Sequence, residues 1–134
     1  MHCVVARNTM NDGWITQLRK GVLEYCVLLV LRGGASYGYE IVRALQRERD
    51  LEVGESTVYP ILARLQAEGC LSKERRPSKS GPPRTYLGLT VAGRLRLEAM
   101  ETYWGMLNAI LENLRKAGVS GERLESKESD HEME

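Results

Sequence analysis

From Ser56 to Thr90 the chain reads STVYPILARLQAEGCLSKERRPSKSGPPRTYLGLT, and the spacing of its apolar residues changes once along the way. Val58, Ile61, Leu62 and Leu65 fall at i, i+3, i+4 and i+7, the pattern of one buried face on a helix. Ser56 and Thr57 are cap candidates at its start, Pro60 is tolerated in a first turn where backbone donors lack partners, and Gly69 supplies a left-handed stop. Beyond Cys70 the period shortens to two. Leu71, Lys73 and Arg75 alternate with Ser72, Glu74 and Arg76, the stretch from Ser78 to Pro83 turns the chain, and Thr85, Leu87 and Leu89 alternate back. A helix therefore runs into a two-stranded hairpin.

Upstream, the apolar residues between Trp14 and Leu31 keep a helical period with a wide stripe and predict a first helix. Gly33-Gly34-Ala35-Ser36 breaks it and offers a new start, after which Tyr39, Ile41, Val42 and Leu45 predict a second helix ending near Arg49. Downstream, Thr90 caps a last helix that runs to about Lys116, with Gly118 as its stop. The expected organisation is a flexible arm over 1–13, a compact domain over 14–90, a C-terminal helix over 91–118 and an acidic, disordered tail over 119–134. In that tail two basic residues face six acidic ones.

Composition narrows the function. The chain has 134 residues, 43% of them hydrophobic, which suffices for one compact domain. Its two histidines, His2 and His131, lie near the chain ends, so triads and histidine-ligated metals have no support. The three cysteines, Cys3, Cys26 and Cys70, lack C-x-x-C spacing and predict neither a disulfide framework nor a zinc site. No paired carboxylates and no phosphate-cradling loop stand out, so no catalytic residue, metal or cofactor is assigned and the chain reads as a non-enzyme. The longest apolar run, Tyr25 to Leu31, is far shorter than a membrane span, and no export signal is seen. A reducing cytoplasmic setting is expected.

Charge supplies the positive lead. Nineteen basic against 18 acidic residues leave a net +1, yet the hairpin holds Lys73, Arg75, Arg76, Lys79 and Arg84 against Glu74 alone. Such a local cluster is a phosphate-binding footprint, although a merely solvated hairpin is the plainer alternative. Three helices followed by a basic hairpin is the order of a winged helix-turn-helix, in which the third helix enters the major groove and the wing grips phosphate. The expected fold is mainly α, with a two-stranded β wing and a long C-terminal helix. At 100° per residue, the face of the third helix opposite its apolar stripe carries Ser56, Pro60, Ala63 and Ala67, flanked by Tyr59 and Gln66 on one side and by Thr57 and Arg64 on the other. Arg64 suits guanine and Gln66 adenine, while Ala63 and Pro60 suit thymine methyls.

Further residues resemble those of the PadR-type transcriptional regulators. The resemblance runs from about Leu18 to Leu114. It rests on Leu28-Leu29-Val30-Leu31 leading into Tyr37-Gly38-Tyr39-Glu40-Ile41, on Ser56-Thr57-Val58-Tyr59-Pro60-Ile61-Leu62 with Leu65 and Glu68-Gly69, and on Leu89-Thr90 with Gly93. It implies a dimeric winged helix with one long C-terminal helix, a repressor of transcription often released by a small ligand. Leu87 and Gly88 depart from the family, which often carries an aromatic and a longer polar residue there.

The last helix argues for a dimer independently. Met100, Trp104, Leu107, Leu111 and Leu114 step by 4, 3, 4 and 3, and Tyr103 and Ile110 widen the stripe. Such a seam needs cover, from a second copy through both long helices or from the chain's own first helix. Trp104 lies midway, and the resemblance to multidrug-sensing relatives implies a flat pocket there for a planar aromatic effector; core packing is the commoner use of tryptophan. The expected function is a ligand-responsive repressor that binds duplex operator DNA as a homodimer, with no membrane partner. The rival is a winged-helix protein-interaction module without DNA binding.

Overall fold

The computed structural model describes residues 13–119. Their order is α1 (Gly13–Arg32), β1 (Ser36–Tyr37), α2 (Gly38–Gln46), a 3-10 turn (Arg49–Leu51), α3 (Glu55–Ala67), β2 (Leu71–Ser78), β3 (Gly81–Leu89) and α4 (Val91–Ala117). The expected arm over 1–13 and tail over 119–134 lie, but for Gly13 and Val119, outside the described residues. Two compact units divide the chain, one ending at Glu98 and the other beginning at Ala99.

The first unit is built around the stripes that the sequence spaces at helical period. Leu23, Val27, Leu28 and Leu31 of α1, Ile41, Val42 and Leu45 of α2, and Val58, Ile61, Leu62 and Leu65 of α3 are all buried. Cys70, Leu71, Leu87 and Leu97 close the core from the hairpin and from the start of α4. The fold is thus a mainly helical winged helix-turn-helix, as the residue pattern predicts.

Three local expectations are corrected. The sheet has three strands, not two, in the order β1-β3-β2. After β3 pairs with β2 its other edge still carries open backbone groups, and Ser36 and Tyr37 pair with Leu87 and Tyr86 to satisfy part of it. Neither Ser36 nor Ser56 nor Thr57 caps a helix: Tyr37 precedes α2 and Gly54 precedes α3, both without a side-chain cap bond. Because α3 begins at Glu55, Pro60 lies beyond its first turn and denies a donor to the carbonyl of Ser56.

The end of α3 and the start of α4 are fixed together. Gly69, at φ +79°, donates to the Gln66 carbonyl at 3.0 Å and Cys70 to the Leu65 carbonyl at 2.9 Å, a Schellman stop. Thr90 receives the Gly93 N–H at 3.0 Å as the expected cap, and its own hydroxyl donates to the Gly69 carbonyl at 2.7 Å. Gly93 is required by this weld, since a Cβ there would stand 2.1 Å from the Cys70 oxygen.

In the second unit, no residue of α4 beyond Leu97 is buried. Tyr103, Ile110, Leu111 and Leu114 are exposed, and Met100, Trp104 and Leu107 are half-buried. Among the described residues, no helix is long and apolar enough to cross a membrane.

Candidate nucleic-acid interface

The α2–α3 pair and the wing sit in one unit, and a close approach seats α2 on α3. A Cβ on Gly38 would lie 2.6 Å from Cε1 of Tyr59, so the start of α2 is glycine because the Tyr59 ring occupies the space. Burial first, then the Glu55 carboxylate and Tyr39, push the Tyr59 phenol above its ordinary value. It is therefore a neutral hydrogen-bond donor at physiological pH. Around it Ser56, Thr57, Pro60 and Ala63 are exposed and Gln66 is half-buried.

Arg64 has a different setting. Its guanidinium bonds the carboxylate of Glu24 on α1 and lies 3.9 Å from Glu68. Glu24 also receives Arg96 of α4 at 2.9 Å, and Arg96 reaches Glu68 at 3.1 Å. These two carboxylates hold the Arg96 guanidinium above its ordinary value. Arg64 is thus tied, through Nη2 and Nε, to a cluster with Glu24, Glu68 and Arg96, while its side chain stays half exposed.

The wing sorts its charges by face. Lys73 pairs with Leu87 and Arg75 with Thr85 across the ladder, while Glu74 pairs with Tyr86 and Arg76 with Arg84. A period of two then places Lys73 and Arg75 on the side of Leu71 and Leu87, and Arg76 and Arg84 on the side of Tyr86 and Tyr37. Lys79 stands at the tip, in a turn narrowed to Lys79 and Ser80 because Ser78 pairs with Gly81. Proline punctuates the edges. Pro77 lies where the register shifts between Arg76 and Ser78, and the Ser78 hydroxyl donates to the Pro82 carbonyl at 3.0 Å. All five basic residues of the hairpin are exposed.

An open cleft of about 420 Å³ adjoins this face, lined by Val30, Tyr37, Tyr39, Glu40, Arg43 and Arg47 among others. The Arg43 guanidinium lies 5.6 Å from the Tyr39 ring centre. Sequence reading passed over Arg43, which falls between the apolar positions of a short helix, and Arg47, which follows its last residue. Their i, i+4 spacing on the outer face is the signal that marks them.

The residues of the expected seam, Met100, Tyr103, Trp104, Leu107, Ile110, Leu111 and Leu114, all lie on the α4 portion of the second unit. Among the described residues no cluster of three metal-ligating side chains occurs.

The model of the transcriptional regulator PadR-like family matches residues 27–99. A PadR-like transcription factor from Bacteroides fragilis is similar at 40% identity and TM-score 0.66, covering 77% of this chain and 99% of that one. A PadR-like regulator from Bacillus cereus is similar at 36% identity and TM-score 0.66, covering 73% and 95%. The Bacillus subtilis PadR solved with operator DNA is more distant, at 27% identity and TM-score 0.53, covering 59% of this chain and 45% of that one. Among curated proteins none matches the sequence.

Proposed function

We propose that this chain, which belongs to the PadR-like family of transcriptional regulators, binds a specific operator duplex as a homodimer and represses transcription in a ligand-responsive way. As a member of that family it is a transcriptional regulator and not an enzyme. The observation that carries the proposal is the wing, where five exposed basic residues, Lys73, Arg75, Arg76, Lys79 and Arg84, stand in the same unit as the exposed start of α3. The fold similarity to a PadR solved on operator DNA supports the same partner.

In this reading Ser56, Thr57, Tyr59, Pro60, Ala63 and Gln66 face the major groove, Arg64 joins them when released from Glu24, and the wing residues take phosphates. The apolar stripe on α4, with Tyr103, Ile110, Leu111 and Leu114 exposed, is the dimer seam. Trp104 faces its copy there and stacks a planar aromatic effector. The setting is cytoplasmic.

Titration of the chain with duplex from upstream of its own gene, at several salt concentrations, tests the DNA reading. A steep loss of affinity with salt is expected, and a flat, weak response leaves the protein-interaction module. Light scattering at twice 15.1 kDa is expected for the free protein, and Leu107→Glu with Leu111→Glu is expected to give monomers of much lower DNA affinity.

A further inference from the structure

We propose that Tyr37 and Tyr86 are positioning residues for DNA, whose rings hold the guanidinium groups of Arg84 and Arg76 on one face of the wing where both meet phosphates of the duplex. The proposal rests on the DNA-binding reading above and adds which face of the wing addresses DNA and what aims it.

The register places Tyr37 opposite Tyr86, Tyr86 opposite Glu74, and Arg84 opposite Arg76. The Arg76 Cζ lies 4.3 Å from the Tyr86 ring centre, and the Arg84 Cζ lies 4.4 Å from that of Tyr37. The two rings meet edge to face, 5.4 Å apart at 70°. Four side chains from three strands thus form one row, with the two rings in the middle and a cation at each end.

Two like charges directly across an antiparallel ladder repel, and long arginines left to themselves spread into water. The rings oppose this, because each offers its negative face to a guanidinium plane. A guanidinium keeps its N–H donors in its own plane. Stacking therefore leaves the outward edge free for a phosphate, with its direction set in advance. The Glu74 carboxylate, 3.2 Å from Nη2 of Arg76, is mostly solvated and is the group a phosphate displaces.

Tyr37 also ties this face to the rest of the interface. It is the last residue before α2, and its neighbour Gly38 lies against Tyr59 of α3. The residue that aims Arg84 is thus one peptide bond from the contact that seats the reading helix. Lys73 and Arg75, on the opposite face, have no such backing among the ring contacts of the described residues.

The test compares Tyr86→Leu, Tyr86→Phe and Arg76→Ala, singly and combined, with the matching set for Tyr37 and Arg84. Affinity for operator duplex and its salt slope are read out, and thermal unfolding is followed throughout. Losing a cation–π contact of this exposure is expected to weaken binding about two- to fivefold in each Tyr→Leu variant. Tyr→Phe, which keeps the ring, should restore it. In the Arg76→Ala background Tyr86→Leu should cost nothing further, whereas with Arg75→Ala the two losses should multiply. If Tyr86→Leu does not fold, Tyr86→Met supplies similar volume without a ring face. Equal losses from Leu and Phe, or losses that persist once the paired arginine is gone, would overturn the positioning role while leaving DNA binding in place. Wild-type chain that shows no salt-dependent duplex binding would remove the DNA reading itself and this proposal with it.

Discussion

Arg64 on α3 and Arg76 on β2 are almost equally exposed, at 49% and 44%, yet they are held in different ways. Arg64 bonds Glu24, whose side chain is only 12% exposed and which also binds Arg96. Arg76 meets Glu74, 67% exposed, and the face of Tyr86. A poorly hydrated carboxylate with two cationic partners is hard to replace, whereas a solvated one exchanges with any passing phosphate. Exposure alone thus does not make a charge available; the hydration of its nearest counter-charge does.

Removing the held end should have the largest effect. Glu24→Ala takes the acceptor from two guanidinium groups at once and should lower the unfolding free energy by about 2–3 kcal/mol, measured by urea denaturation. A change within the range of ordinary surface substitutions would erase the contrast between the two arginines. Next come Arg76→Ala and Arg84→Ala, each expected to weaken binding on every duplex and to lower the salt slope by about 1. Stability should hold within about 0.5 kcal/mol, so DNA titration and unfolding should disagree for these variants.

Arg64→Ala should cost about 1 kcal/mol of stability, discounted for its exposure, and shift all operator variants alike. Loss of about 1–3 kcal/mol of discrimination at a single base pair would instead show that the guanidinium leaves Glu24 to read guanine. The smallest effect is expected from Arg75→Ala, on the face away from the tyrosines. If its salt slope falls more than that of Arg76→Ala, the other face of the wing addresses DNA.

Much of this was legible along the chain. The stripe Val58, Ile61, Leu62, Leu65 gave a buried helix face, the change to period two gave the hairpin, and Gly69 and Thr90 gave its borders. Each is a local signal, set by residues within one or two turns. β1 escaped because two residues carry no period, and its pairing with Leu87 and Tyr86 is worth forming only once β3 exists. The start of α3 was misplaced because Ser56 and Thr57 are strong cap formers by type, while the chain uses Gly54.

The sequence by itself determined the order of elements, the concentration of positive charge in one hairpin and the apolar stripe of the last helix, since periodicity and composition are properties of neighbours in the chain. Tertiary structure alone decided which charges are engaged. Glu24 and Arg64 are 40 residues apart and Glu24 and Arg96 are 72 apart, and Arg84 of β3 finds its ring on the neighbouring strand β1, which lies before α2 and α3 in the chain. Such pairings depend on how helices and strands pack, because a charge is tuned by what lies within a few ångströms of it in space and not by what precedes it in the chain.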